Sequence, residues 1–178
     1  MSVTRQSVPS VSYTPIGVIY SGHKVPEETP IQPVYAAGCT GTVEVYPEYQ
    51  DGLSALDGFS HVILIYHFHR AGSPLLRLRP FLMDRLMGVF ATRAPSRPNA
   101  IGLSIVRLKS HSQGVLVIED VDVLDGTPLL DIKPYVSRFD CITDARSGWQ
   151  DEVDEASARK LGVRGFRPGS EGPGGGRR

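Results

Sequence analysis

Residues 59–70, FSHVILIYHFHR, carry the strongest structural signal in the chain. The run is rich in β-branched and aromatic side chains and lies between Gly58 and Gly72, which is the composition and punctuation of a strand. A side-chain period of two puts His61, Ile63, Ile65, His67 and His69 on one face and Val62, Leu64, Tyr66 and Phe68 on the other. Both faces are largely apolar, so the run predicts a central strand with a neighbour on each edge.

N-terminal to this run, GTVEVY (41–46) alternates like a strand and YTPIGVIYS (13–21) reads as another. Between them, residues 22–38 carry Pro26, Pro30 and Pro33 and no period. Loops longer than about 12–15 residues in a compact domain are usually functional or disordered. Residues 47–57 suit one short helix, with Leu53 and Leu56 spaced by three. On the C-terminal side, 71–85 is a Pro- and Arg-containing connection, and strands are expected at 86–92, 101–109, 114–124 and 128–133. Asp125-Gly126-Thr127-Pro128 is the turn between the last two. Six or seven strands without βαβ alternation predict an all-β domain, a sheet or small barrel with one or two short helices. The organisation follows: a disordered N-terminus over 1–10, the β domain over 11–147, a helix over 148–161 with Trp149, Val153, Ala156 and Leu161 on one face, and a flexible Gly/Arg-rich tail over 162–178.

The stretch GVFATRAPSRPNAIG (88–102) is the most telling polar segment. Val89, Phe90 and Ala91 read as the end of a buried strand, and Ile101, Leu103, Ile105 and Leu108 resume an apolar pattern. Pro95 and Pro98 rule out a regular helix between them and push Ala94 and Arg97 toward extended geometry. Arg93, Arg97 and Asn99 are therefore displayed on a stiffened loop between strands, where function commonly sits. A fork of guanidinium donors suits phosphate or carboxylate. The plainer alternative has these arginines capping carbonyls or lying in solvent.

Net charge is zero but unevenly spread. Residues 70–109 hold eight Arg or Lys against Asp84 alone, 26–58 hold six acids and no base, and 110–155 hold eleven acids against Lys133, Arg138 and Arg146. A basic block between acidic flanks points to a polyanionic partner, unless folding interleaves the charges. No run of about 18 apolar residues would span a membrane, and MSVTRQSVPSVSY has no signal-peptide core. Cys39 and Cys141 are the only cysteines, which suggests reduced thiols in the cytoplasm and no CxxC zinc site. There is no GxSxG elbow, no Walker loop and no GxGxxG after a strand. His67 and His69 have the spacing of a metal pair on a strand but lack an obvious third ligand, the next His being His111. Asp120, Asp122, Asp125 and Asp131 cluster around the DGTP turn, suited to sugar hydroxyls or a cation, or else to supporting the turn from solvent.

These same residues resemble a known family. GVFATRAPSRPNAIG followed by LDGTPLLDIKPY, with GFSHVILIYHFHR and PIGVIYS before them in order, is similar to the TrmO family over about residues 13–140. The resemblance implies a small β-barrel working as a homodimer, with S-adenosylmethionine as cofactor. It implies methyl transfer to the exocyclic amine of adenosine at tRNA position 37, in bacterial members an adenosine already carrying threonylcarbamoyl. It also implies cofactor contacts at Pro30, Ile31, Gln32, His69, Arg70, Arg93, Leu103, Asp122, Val123, Leu124 and Asp125. Under that reading Asn99 or Tyr135 accepts a hydrogen bond from the amine, Arg77, Arg79, Arg97 and Lys133 meet tRNA phosphates, and no metal is needed. Ala94, Ala100 and Arg70 stand where the family usually has Ser, Pro and Gln. Two alternatives compete: a non-catalytic RNA-binding β-domain, and a metal-dependent small-molecule enzyme built on His67 and His69.

Overall fold

The computed structural model describes residues 9–81 and 83–163, the side chains of Ser157, Lys160 and Leu161 excepted. Of the N-terminus expected to be disordered (1–10) and the tail expected to be flexible (162–178), residues 1–8 and 164–178 lie outside the described residues; Gly162 and Val163, assigned to that tail, are instead held against Ile31 and Pro30. Eight strands occur among them: β1 (Gly17–Ser21), β2 (Thr40–Val45), β3 (His61–His67), β4 (Arg77–Leu78), β5 (Met87–Gly88), β6 (Ile101–Ser112), β7 (Val115–Glu119) and β8 (Thr127–Pro134). Six of them close into an antiparallel barrel in the order β1-β2-β7-β6-β3-β8, and β4 pairs with β5 in a separate small hairpin. As its two apolar faces predict, β3 is hydrogen-bonded on both edges, to β6 and β8.

Two register shifts let so few strands curl shut. One lies between Ile65 and Tyr66 against β8, the other between Leu108 and Ser110 against β7. An extra residue on one strand bends it and raises its twist, which closure requires. Gln113 (φ 50°) and Gly114 (φ 78°) make the tight turn from β6 to β7, and two positive φ values in succession match the twist of the strands they join. The interior is filled by Ile19, Val43, Val62, Leu64, Val106, Leu116, Ile118 and Leu129, all fully buried.

Several sequence expectations are corrected. Residues 47–57 form two 3₁₀ turns, Pro47–Leu53 and Leu56–Gly58, rather than one helix, with Leu53 and Leu56 buried in the core. The strand expected over 86–92 is only β5, followed by a 3₁₀ turn over Val89–Ala91 that leaves Phe90 77% exposed. The strand expected over 114–124 stops at Glu119, and Asp120 turns the chain through φ 64°. Strand β3 ends at His67, so His69 sits in a turn and does not continue the His67 face. The helix expected over 148–161 is two pieces, a 3₁₀ segment Gly148–Glu152 and a helix Glu155–Leu161, and Ala158 rather than Ala156 is its buried residue. A four-residue helix, Ser137–Asp140, follows β8.

In β6 the structure settles a phase that the apolar pattern leaves open. The strand's apolar residues Ile101, Leu103 and Ile105 point outward, at 38%, 50% and 38% exposure, while Gly102, Ser104 and Val106 point inward. The cause is the partner strand. Register sets Tyr66 opposite Gly102 and Leu64 opposite Ser104, and a Cβ on Gly102 would lie 2.2 Å from the Tyr66 ring. The inward residue at 102 must therefore be the smallest available, which throws the isoleucines and leucine to the outside.

Candidate active site

The two mouths of the barrel differ. At one, the 3₁₀ turns of 47–58 cover the end, with Gln50 donating from Nε2 to the Val45 carbonyl (2.9 Å). The other is bordered by the ends of β1 and β3, by residues 120–126 and by the loop 92–100.

Residues 121–124 explain how this second mouth is held. Val121, Asp122, Val123 and Leu124 are all buried, so the chain after β7 dips into the barrel before emerging at the DGTP turn. Its polar groups find partners as it goes. Ser21 donates from Oγ to the Val123 carbonyl (2.7 Å) and from its backbone N–H to Asp125 Oδ1 (3.0 Å). Lys24 Nζ lies 2.7 Å from Asp125 Oδ2. The Lys24 ammonium and then the Ser21 N–H hold the Asp125 carboxyl below the usual carboxylate range. Asp122, 2% exposed, accepts from Ser104 Oγ at 2.5 Å. With that proton committed, the Tyr66 hydroxyl 3.0 Å away is the donor to Ser104.

Beside this segment lies a cavity of about 160 Å³, walled by Tyr66, Phe68, Leu124 and Pro26 and edged by His69, Arg70 and Thr127. The Thr127 hydroxyl donates to the Leu124 carbonyl at 2.6 Å, so its oxygen accepts from His69 Nδ1 at 3.3 Å. That contact assigns the imidazole proton to Nδ1 and leaves Nε2 as an acceptor. Burial, then Arg70, then His67 lower the His69 pKa, which favours the neutral ring at neutral pH.

Two loops meet near the cavity. Arg93 Nη1 donates to Gln32 Oε1 at 2.5 Å, linking the proline-rich loop to the 92–100 loop. Pro30 is buried, and the Ile31 N–H donates to the Gly162 carbonyl at 2.9 Å. Arg97 is turned onto its own loop, donating to the Thr92 and Ala94 carbonyls at 3.2 and 3.5 Å, so it caps carbonyls as the plainer alternative held.

The fold thus brings Gln32 and Arg93 together, and borders one mouth with His69, Arg70 and Asp122 to Asp125. Asn99 is exposed on the adjoining loop, next to the Ala100 carbonyl that accepts from the Phe68 N–H (2.7 Å). Other expected residues lie elsewhere. Tyr135 stands at the opposite mouth, its N–H on the His61 carbonyl (3.1 Å), a full strand length from His67. Leu103 is on the outer wall. Lys133, opposite Ile63, pairs with Asp131 at 2.7 Å. Arg77 is exposed in the β4–β5 hairpin, and Arg79 follows it with Nε donating to the Asp84 carbonyl at 2.7 Å. Asp120 accepts from the Gly38 N–H (2.9 Å), so the four aspartates serve separate partners. Among the described residues no group of three or more His, Cys, Asp or Glu is placed to hold a metal ion, and no helix is long and apolar enough to cross a membrane.

Sequence reasoning missed Tyr66, Ser104 and Thr127. Nothing in the local sequence marks Ser104 as inward, since a lone hydroxyl between Leu103 and Ile105 reads as a solvent-facing residue; only Tyr66 opposite Gly102 fixes the phase.

Comparison with known proteins bears on the family and the fold. Residues 18–141 match the family model described as the tRNA-methyltransferase O N-terminal domain. A Pyrococcus abyssi protein named "Probable S-adenosyl-L-methionine-binding protein" is 54% identical over 139 residues, covering 78% of this chain and 76% of its own length. A human protein named tRNA (adenine(37)-N6)-methyltransferase is 35% identical over 133 residues, covering 71% of this chain and 30% of its own length. The crystal structure of TrmO from Pseudomonas aeruginosa superposes with a TM-score of 0.67 at 42% identity, covering 79% of this chain and 62% of that one.

Proposed function

The chain belongs to the family of the tRNA-methyltransferase O N-terminal domain, and on that basis we propose that it is an S-adenosylmethionine-dependent tRNA methyltransferase acting on the N6 amine of adenosine 37. The observation that supports this most is that the matched residues 18–141 include every element bordering the open mouth. The names of its relatives give the chemistry.

The mouth suits such a cofactor. Aromatic and aliphatic walls with a few convergent polar groups are what a nucleoside requires, and Tyr66, Phe68 and Leu124 supply walls beside His69 and Thr127. Gln32 and Arg93 would hold the polar end, and residues 122–125 the ribose. When bound, S-adenosylmethionine supplies a methyl group activated by positive sulfur. The chain's own task is orientation: the adenosine amine is a weak nucleophile, and correct placement alone contributes roughly 7–11 kcal/mol in favourable cases. His69 Nε2, the exposed Asn99 and the Glu27 carboxylate lining the cavity are acceptors at this mouth for an amine N–H, and the proton shed after methylation leaves to water. Tyr135 is too remote for this within one chain.

The finer readings are that the target adenosine carries threonylcarbamoyl, that two copies pair, and that the protein works in the cytoplasm with its tRNA. Pairing draws support from the outward stripe of Ile101, Leu103 and Ile105, set beside Ile63 and Ile65 of β3. Apolar surface of that kind is usually covered, and a second copy seated there would bring Leu103 toward a cofactor held by its partner. Arg70, Arg77 and Arg79 would meet phosphates, and position 37 lies in a loop where a base unstacks readily.

Incubation with S-adenosylmethionine labelled on its methyl group and tRNA, with and without threonylcarbamoyl, is expected to label N6 of adenosine 37. Absence of label from every tRNA pool together with no calorimetric binding of S-adenosylmethionine would reject the reading. RNA binding without cofactor binding would favour the non-catalytic alternative.

A further inference from the structure

The segment 148–163 lies beyond the matched residues 18–141, yet it touches the proline-rich loop and the 3₁₀ turn just ahead of the 92–100 loop. Trp149 donates from Nε1 to the Ala91 carbonyl at 2.8 Å, two residues before Arg93. At its other end Ile31 donates to the Gly162 carbonyl at 2.9 Å, and Pro30 forms an antiparallel bridge with Val163. Ala158 is 1% exposed. Gly162 packs so closely that a Cβ there would lie 2.7 Å from Tyr35 Cγ and 3.0 Å from the Ala158 carbonyl oxygen.

We infer that residues 148–163 are a strap that positions the Gln32 and Arg93 loops against each other, with Trp149 and Gly162 as its positioning residues. The strap deepens the proposed function, since it rests on reading this mouth as the S-adenosylmethionine site. The physical reason is conformational. The proline-rich loop contains two short 3₁₀ turns and no strand, and Gln32 precedes the second of them. The 92–100 loop is likewise irregular. Loops held only at their ends must be ordered when a ligand binds, and that ordering subtracts from affinity. The strap fixes one backbone amide of the first loop and one carbonyl just ahead of the second, so the Gln32–Arg93 contact is set before any ligand arrives. Neither Trp149 nor Gly162 needs to touch the ligand.

Two variants of the full chain test this. Trp149→Phe keeps an aromatic ring and removes the N–H donor; Gly162→Ala drives a methyl group into Tyr35. Each is expected to weaken calorimetric S-adenosylmethionine affinity and raise its KM by about 3- to 10-fold, the worth of one ordinary hydrogen bond. The turnover rate at saturation should hold. In ligand-free protein, amide exchange should quicken at Ile31 for Gly162→Ala and at Thr92 for Trp149→Phe, with the β3 and β6 amides unchanged. Unchanged exchange at those two loop amides overturns the strap, and so does a rise spread evenly over the barrel. Failure of the wild type to bind S-adenosylmethionine would sink the proposed function, while the exchange data still decide the strap. If Gly162→Ala does not fold, Trp149→Phe decides it alone.

Discussion

Gly102 shows how one residue governs a strand. The Tyr66 ring lies where its Cβ would be, 2.2 Å from Cε2. Gly102→Ala is therefore expected to cost about 1–3 kcal/mol, whereas Gly52→Ala, with open space around it, should stay within about 0.5 kcal/mol; urea unfolding of the two measures the difference. Ser104→Ala removes a donor from a carboxylate that is 2% exposed. The expected loss is about 1.5–3 kcal/mol, read from the same unfolding curves. His69 makes a prediction about pH. Its folded pKa lies below the ordinary value of 6.5 because burial, Arg70 and His67 disfavour the charged ring. Its contribution to stability is therefore present above the unfolded pKa and is lost as pH falls toward the folded one. A titration of its ring protons by NMR should show a midpoint below 6.5; a midpoint at or above that value would contradict a ring kept neutral with its proton on Nδ1.

Among the secondary-structure elements, those legible in the sequence and those hidden from it separate cleanly. Strand β3 was legible because both its faces are apolar, and a central strand asks for nothing about phase. Strand β6 was legible as a strand but not in phase. Alternation of Ile101, Leu103 and Ile105 with smaller residues looks the same whichever face is buried, and only the bulk of Tyr66 on the neighbouring strand settles it. Residues 86–92 and 120–124 misled for a related reason. They are apolar because they pack against the barrel, Val89 and 121–124 being buried, yet they do so as a turn and an inward loop. The outward stripe of β6 carries its own prediction. Leu103→Glu and Ile105→Glu should halve the mass seen in sedimentation if two copies pair there, with the circular dichroism of the barrel retained. A wild-type protein that sediments as one chain would remove the pairing.

Across the entire domain, charge is where folding most altered the picture. The basic block is partly neutralised: Arg107 and Lys109 each lie 3.4 Å from Glu119, and Arg85 lies 2.6 Å from Glu152. Arg77 and Arg79 project from the separate hairpin region. The double variant Arg77→Ala/Arg79→Ala should lower the salt dependence of tRNA binding by about 0.7 in log–log slope for each phosphate no longer neutralised; filter binding across a salt series measures it. An unaltered slope would exclude both residues from the interface. Composition, proline placement and motif order were enough to establish an all-β domain, a stiff arginine loop and an aspartate turn flanking its central strand, and the family its motifs resemble. Each of those features is local, so a single stretch of chain can carry it. The open mouth of the barrel, the distance of Tyr135 and Leu103 from it, and the return of the segment 148–163 across the loops emerged solely from the folded chain. They depend on which strand pairs with which and on the size of the side chain opposite, quantities that no one stretch contains.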